Sequence, residues 1–141
     1  MPANPTLAPV YEYYATDNGY WRFQYAVNPD IQVGWQRNGI GFFAFGSRQP
    51  NAIPIHQYHL ENPWRFRYSP SASVGQGWIY DGIVFYALEF PQPRLTIPVY
   101  QYSAINPERY HYSINPDVGQ GWSNDGAVFH VYAATPAGGG E

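Results

Sequence analysis

Cysteine and lysine are both missing from this 141-residue chain, and charged residues make up only 12% of it. Without cysteine there is no disulfide scaffold, no thiol nucleophile and no thiolate metal site. All seven basic residues are arginine, against ten acidic ones, for a net charge of −3. The clustered cations that a phosphate backbone requires are therefore lacking, which argues against a nucleic-acid partner. No apolar run approaches the roughly 20 residues of a membrane span, so membrane insertion is not expected. The opening MPANPTLAP has neither the basic start nor the apolar core of a signal peptide. These absences predict cytoplasmic synthesis, with any release by a non-classical route. Catalytic signatures are missing as well: there is no Gly-x-Ser-x-Gly elbow, no His-Glu-x-x-His and no phosphate-cradling glycine loop. His56, His59, His111 and His130 do not fall at metal-ligand spacing. No catalytic residue, metal or cofactor is expected, and the chain reads as a non-enzyme.

What the chain has in quantity is aromatic surface: 14 Tyr, 8 Phe and 5 Trp, or 19% of residues. Low hydrophobicity with high net charge is the mark of disorder, and neither holds here. The length fits a single domain, 1–141, that buries roughly 68% of its unfolded surface.

The aromatics recur in a fixed order. Trp35, Trp78 and Trp122 stand 43 and 44 residues apart, each followed four later by Gly (Gly39, Gly82, Gly126) and then by Phe (Phe42, Phe85, Phe129). Ten residues before each Trp is a Tyr (Tyr25, Tyr68, Tyr112), and three before that Tyr is an Arg (Arg22, Arg65, Arg109). Each copy opens on proline with an aromatic-rich run: PVYEYY, PIHQYH and PVYQYS. Three internal repeats follow, 9–53, 54–97 and 98–133, with a tail at 134–141 expected to be a mobile end. Within each, short stretches such as Val10–Tyr14, Trp21–Tyr25 and Gly39–Phe45 are rich in Tyr, Phe, Trp and Val and bounded by Asn, Asp, Gly and Pro, the signature of strands. No window carries a helical period. An all-β fold of about four strands per unit is expected, with Asn-Gly and Asp-Gly turning hairpins. Three units of about 44 residues suit a β-trefoil; the alternative is a propeller-like ring closed by oligomerisation, which leaves a homo-oligomer open.

The phrases PVYEYY, then RFQY, RFRY and RYHY, then GWIYDGIVFYA resemble tandem repeats of poorly characterised secreted bacterial and fungal proteins, over about residues 9–133. Those repeats commonly carry His-Phe-Tyr-Thr where this chain has its Arg-aromatic runs. By architecture the chain is similar to β-trefoil lectins, although it lacks their Gln-x-Trp signature, so the likeness is one of fold.

Comparing the three units with one another separates framework from surface. Tyr13, Tyr58 and Tyr102, like Tyr25, Tyr68 and Tyr112 and the three Phe, never change and read as core; so do the three repeat Trp. Trp21, Trp64 and Glu108 share one position. A dry core cannot hold an unpaired carboxylate, so this position, and with it the two indoles, is expected at the surface. An exposed indole beside fixed polar groups is what a sugar ring needs, because its CH face stacks and its hydroxyls seek carboxylate, amide or guanidinium partners. The candidate sugar-binding residues are therefore Trp21 and Trp64, with Arg22, Arg65 and Arg109, with Asn38, Asp81 and Asp125, and with Glu12, Gln57 and Gln101. Each polar set has a framework reading beside it: arginine tying strand to carbonyl or stacking on a ring, Asn and Asp as turn residues, Glu and Gln as outward strand residues. The expected function is a carbohydrate-binding lectin with up to three repeat-related sites, its partners glycans or glycoproteins. The alternative is a protein-interaction module such as a protease inhibitor or toxin-targeting domain, presenting the longer Ala15–Tyr20 segment as its loop.

Overall fold

The computed structural model describes residues 7–17, 20–28, 34–50, 52–61, 64–92, 95–105 and 108–132, so the tail at 134–141 lies outside the described residues. The all-β expectation holds. Among the described residues nine strands follow in chain order: β1 (Leu7–Asp17), β2 (Tyr20–Ala26), β3 (Gln36–Phe45), β4 (Ala52–Leu60), β5 (Arg65–Ser69), β6 (Ile79–Leu88), β7 (Thr96–Ala104), β8 (Arg109–Ser113) and β9 (Ser123–Tyr132). Each unit supplies three of them. The first strand pairs antiparallel with the second as a hairpin, and the third returns antiparallel along the other edge of the first. Single ladder pairs, Phe45 with Tyr86 and Leu88 with His130, join these blocks into one open antiparallel sheet. Among the described residues no fourth strand forms around the Gly-Trp pair: Trp35, Trp78 and Trp122 lie outside any strand, just ahead of the third strand of their units.

Strand alternation decides what is buried. In β5 the burial order of Arg65, Phe66, Arg67 and Tyr68 runs half-buried, buried, half-buried, buried, and β8 repeats it. The buried rings meet in three cycles. Tyr25, Tyr68 and Tyr112 pack edge to face with centroids 5.4, 5.3 and 5.7 Å apart. Phe42, Phe85 and Phe129 form a second such set at 5.6, 5.7 and 5.7 Å. The third set links units at their outer margin: Trp35 to Phe66, Trp78 to Tyr110, and Trp122 back to Phe23. Burying each of these rings stabilises the fold by roughly 1.5–3 kcal/mol, and edge-to-face geometry adds to that. All three sets run from each unit to the next and from the third back to the first.

The Asn-Gly and Asp-Gly pairs correct the sequence reading. They do not turn hairpins. Asn38-Gly39, Asp81-Gly82 and Asp125-Gly126 lie inside β3, β6 and β9. In the second unit Gln57 pairs with Gly82 but Tyr58 pairs with Tyr80, so Asp81 is an extra residue in its strand; Asp125 is skipped likewise in the third. The pairing of β3 with β1 shifts at the same place. These are β-bulges, and the glycines hold φ of 96°, 111° and 107°, a left-handed backbone that side chains resist. Local sequence cannot tell the two uses apart, because both need a positive φ after a short polar residue. The bulge re-aims that polar side chain toward the neighbouring strand.

Candidate binding site

At the centre, every buried tyrosine hydroxyl has two jobs. It accepts a backbone hydrogen bond from the preceding unit of the cycle: Tyr25 N–H donates to Tyr68 Oη at 2.7 Å, Tyr68 N–H to Tyr112 Oη at 2.9 Å, and Tyr112 N–H to Tyr25 Oη at 2.8 Å. It also donates outward, to Glu12 Oε1 at 3.0 Å, Gln57 Oε1 at 2.9 Å and Gln101 Oε1 at 2.8 Å. Burial, above all, raises the pKa of all three tyrosines, so the hydroxyls keep the proton they donate. From there the relay reaches the bulge. Gln57 Nε2 donates to Asp81 Oδ2 and Gln101 Nε2 to Asp125 Oδ2, each at 2.9 Å. In the first unit the roles are exchanged, and Asn38 Nδ2 donates to Glu12 Oε2 at 2.7 Å. Six of the predicted sugar ligands thus hydrogen-bond one another; the three bulge residues are exposed, Glu12 is half-buried, and Gln57 and Gln101 are buried.

The two unmatched indoles are where the sequence placed them, at the surface, with Trp21 45% and Trp64 41% exposed. Each is backed by one flat partner. Tyr14 stacks on Trp21 at 4.3 Å and 27°, and His59 on Trp64 at 4.7 Å and 14°. His59 Nδ1 in turn contacts Asp81 Oδ1 at 2.7 Å, which couples the second shelf to the Gln57–Tyr68 relay. The third unit has no shelf. Ser103 Oγ donates to Asp125 Oδ1 at 3.1 Å, while Glu108 accepts from Arg65 Nε at 3.1 Å and from the Tyr110 hydroxyl. His59 was not among the expected site residues. Its signal was the variable position Tyr14, His59 and Ser103, which changes in step with Trp21, Trp64 and Glu108.

The arginines are not brought to the indole shelves. Strand alternation turns Arg22 and Arg65 to the opposite face from Trp21 and Trp64. The three guanidiniums lie over the repeat indoles, Arg22 on Trp35 at 5.5 Å, Arg65 on Trp78 at 5.9 Å and Arg109 on Trp122 at 5.1 Å. Arg22 Nη1 also donates to the Trp64 carbonyl at 3.2 Å, so Arg22 and Arg65 both tie their own unit to the next. Those repeat indoles, read from sequence as core, are half-buried and packed against it. Of the Ala15–Tyr20 segment, expected as a loop, residues 18 and 19 lie outside the described residues. Ala15, Thr16 and Asp17 pair with Arg22, Trp21 and Tyr20 as the end of a hairpin.

Glu12 differs from Gln57 and Gln101 in one further contact: His111 Nε2 lies 3.0 Å from its Oε1. Burial works to raise this carboxyl. The hydrogen bond and charge of His111, with the Asn38 and Tyr25 hydrogen bonds, outweigh it and hold Glu12 below its ordinary value of 4.5. A lowered folded-state pKa gives stability that is full above the unfolded value and is lost as pH falls through the folded one. Glu12→Gln is therefore expected to flatten the fall in melting temperature below about pH 4.5. Acid melting curves that superimpose on those of the wild type would show that Glu12 contributes nothing there.

No curated protein and no solved structure matches this chain. A family model described as a domain of unknown function, DUF5648, matches residues 67–140, which takes in most of the second unit, all of the third and nearly all of the tail. That match spans more than half of the sequence, and the chain belongs to the DUF5648 family.

Proposed function

We propose that this protein is a carbohydrate-binding lectin whose sugar sites are the exposed indole shelves of its first and second units. The observation that carries this reading is the stack of Trp64 on His59, with His59 anchored to Asp81. With one face of the indole covered by imidazole, its exposure falls on the other face and edge, where the CH face of a pyranose can stack. The Asp81 carboxylate and Glu61, whose Oε2 lies 3.3 Å from His59 Nε2, stand alongside as acceptors for sugar hydroxyls. Trp21 on Tyr14 offers the same shelf with Gln36 near it, because the Tyr14 hydroxyl donates to Gln36 Oε1 at 3.1 Å. The third unit, with Glu108 turned to Arg65, is not proposed as a site of this kind. The finer reading of the fold, a trefoil-like set of three units about one axis, is supported by the three closed ring cycles. It differs from the expected form in having three strands per unit.

Two weak shelves on one rigid body would gain avidity on a surface bearing many glycans. Trp64→Ala is expected to weaken binding at its own site about 10-fold, the equivalent of roughly 1.4 kcal/mol. The double variant with Trp21→Ala should abolish retention on a glycan surface. The checks are a glycan array followed by titration calorimetry, with folding of each variant verified by its melting curve. Absence of binding across a broad array, or unaltered binding by the double variant, would rule out the indole shelves as sugar sites.

A further inference from the structure

The seam between the first and third units differs from the other two. β3 joins β6, and β6 joins β9, through ladder pairs, but among the described residues the ladder does not continue from β9 back to β3. A cavity of about 430 Å³ opens at this seam, within the range of roughly 300–1,000 Å³ usual for small-molecule sites. Its polar lining includes Glu12, Asn38 and His111, with Ser113 and Asn115 beside them, and its apolar lining is Ile40, Ile114 and Val118. A smaller space of about 220 Å³ continues from it past Ile40 and Ile114 toward Tyr132.

The residue that opens this space is Gly41. The equivalent positions of the other units hold Val84 and Val128, both partly buried against the core. A Cβ at Gly41 would meet Tyr25 Cε2 at 3.7 Å and Glu12 Cβ at 3.9 Å, ordinary contact, and its backbone is not left-handed. Neither clash nor φ requires glycine there. The nearest atom to such a Cβ is the Val10 carbonyl oxygen at 3.5 Å, also ordinary contact, and Gly41 itself lines the cavity, so a larger side chain there takes up space beside it. The second difference is His111, which stands where the other units have Gln24 and Arg67. Arg67 lies across Trp78 and Tyr110 at 5.6 and 5.3 Å, and its Nη1 donates to the Val74 carbonyl at 3.4 Å. The shorter imidazole instead stacks on Phe23 at 4.0 Å and ends on Glu12.

We propose that this cavity is a second ligand site, present once in the molecule, that takes one neutral hydroxylated ring of monosaccharide size. A carboxylate offers about four lone-pair positions, and Tyr25, His111 and Asn38 occupy three of those on Glu12, leaving one for a ligand hydroxyl. The negative charge of Glu12 disfavours anions. Ile40, Ile114 and Val118 give the apolar wall that a ring's CH face requires. The inference rests on the carbohydrate reading above, but it uses a different place and different atoms.

The test is titration of the full chain with methyl glycosides of glucose, galactose, mannose and N-acetylglucosamine, followed by NMR at the Gly41 amide, the His111 ring and the Trp21 and Trp64 indoles. Saturable shifts at Gly41 and His111 are expected. Gly41→Val should weaken that set at least 10-fold while leaving any indole shifts in place, because it installs the residue the other units already carry. His111→Gln, which copies the first unit, gives a second reading should the valine variant fold poorly. Shifts confined to the indoles would overturn the cavity site and leave the shelves standing. Shifts at the cavity alone would keep it and remove the shelves as the sugar sites. No shift with any glycoside, or cavity shifts unchanged in Gly41→Val, would overturn the inference.

Discussion

Tyr68→Phe is expected to lower the melting temperature by about 10 °C, although it removes one oxygen and leaves the ring packing in place. The hydroxyl is wholly buried and serves three groups: it accepts from Tyr25 N–H at 2.7 Å and donates toward Gln57 Oε1 at 2.9 Å and the Tyr25 carbonyl at 3.2 Å. Phenylalanine strands a backbone donor and an amide acceptor where water does not reach. Each stranded group costs roughly 1–3 kcal/mol, so a total near 3 kcal/mol is expected. Tyr14→Phe is the matched control. Among the described residues its hydroxyl meets only the exposed Gln36 side chain, and the loss there should stay within about 0.5 kcal/mol. Calorimetry of both variants reads the difference directly. Equal shifts for the two would mean that the central cycle of hydrogen bonds is not what holds the units together.

Much of this was open to sequence reasoning, and the parts that were not share a cause. The unchanged Tyr25, Tyr68 and Tyr112 announced a core, because a residue kept in three units with different surfaces is held by packing. The exposure of Trp21 and Trp64 followed from a single substitution, Glu108, since burial tolerates indole and not a lone carboxylate. The bulges did not follow. Asp81-Gly82 reads as a turn from its local chemistry, and only the register against Gln57 and Tyr58 shows that Asp81 is an inserted strand residue. The arginines failed for a related reason: their spacing was legible, but the ring they lie over, thirteen residues away, is set by how the chain folds back. Gly41 carried a visible signal, a glycine set against two valines. Its meaning depends on the seam that closes beside it.

The exchange of Glu12–Asn38 for Gln57–Asp81 and Gln101–Asp125 leads to the second large effect. Each relay holds one carboxylate and one amide, and the unit works with either on the first strand. It should not work with two carboxylates. Gln57→Glu places an acid where an Nε2 now stands 2.9 Å from Asp81 Oδ2, at a largely buried position. Two such groups cannot both stay ionised, so one must hold a proton. Keeping it on a carboxyl of ordinary pKa near 4.3 costs about 1.4 kcal/mol per pH unit, which bounds the loss at pH 7 to roughly 3–4 kcal/mol. The sign with pH is the reverse of that for Glu12. A raised folded-state pKa leaves the variant close to wild type below about pH 4.3, with the deficit growing as pH rises until it passes the folded value. Adding Asp81→Asn restores the pattern of the first unit and should recover most of the stability at pH 7, less what His59 loses with its Asp81 contact. The double-mutant cycle, run by denaturant melts at two pH values, should then return a coupling of about 2 kcal/mol or more at pH 7 that fades in acid. Simple additivity at both pH values would mean that the two side chains do not depend on one another. In that case the matched carboxylate–amide pairs of the three units would have no energetic basis.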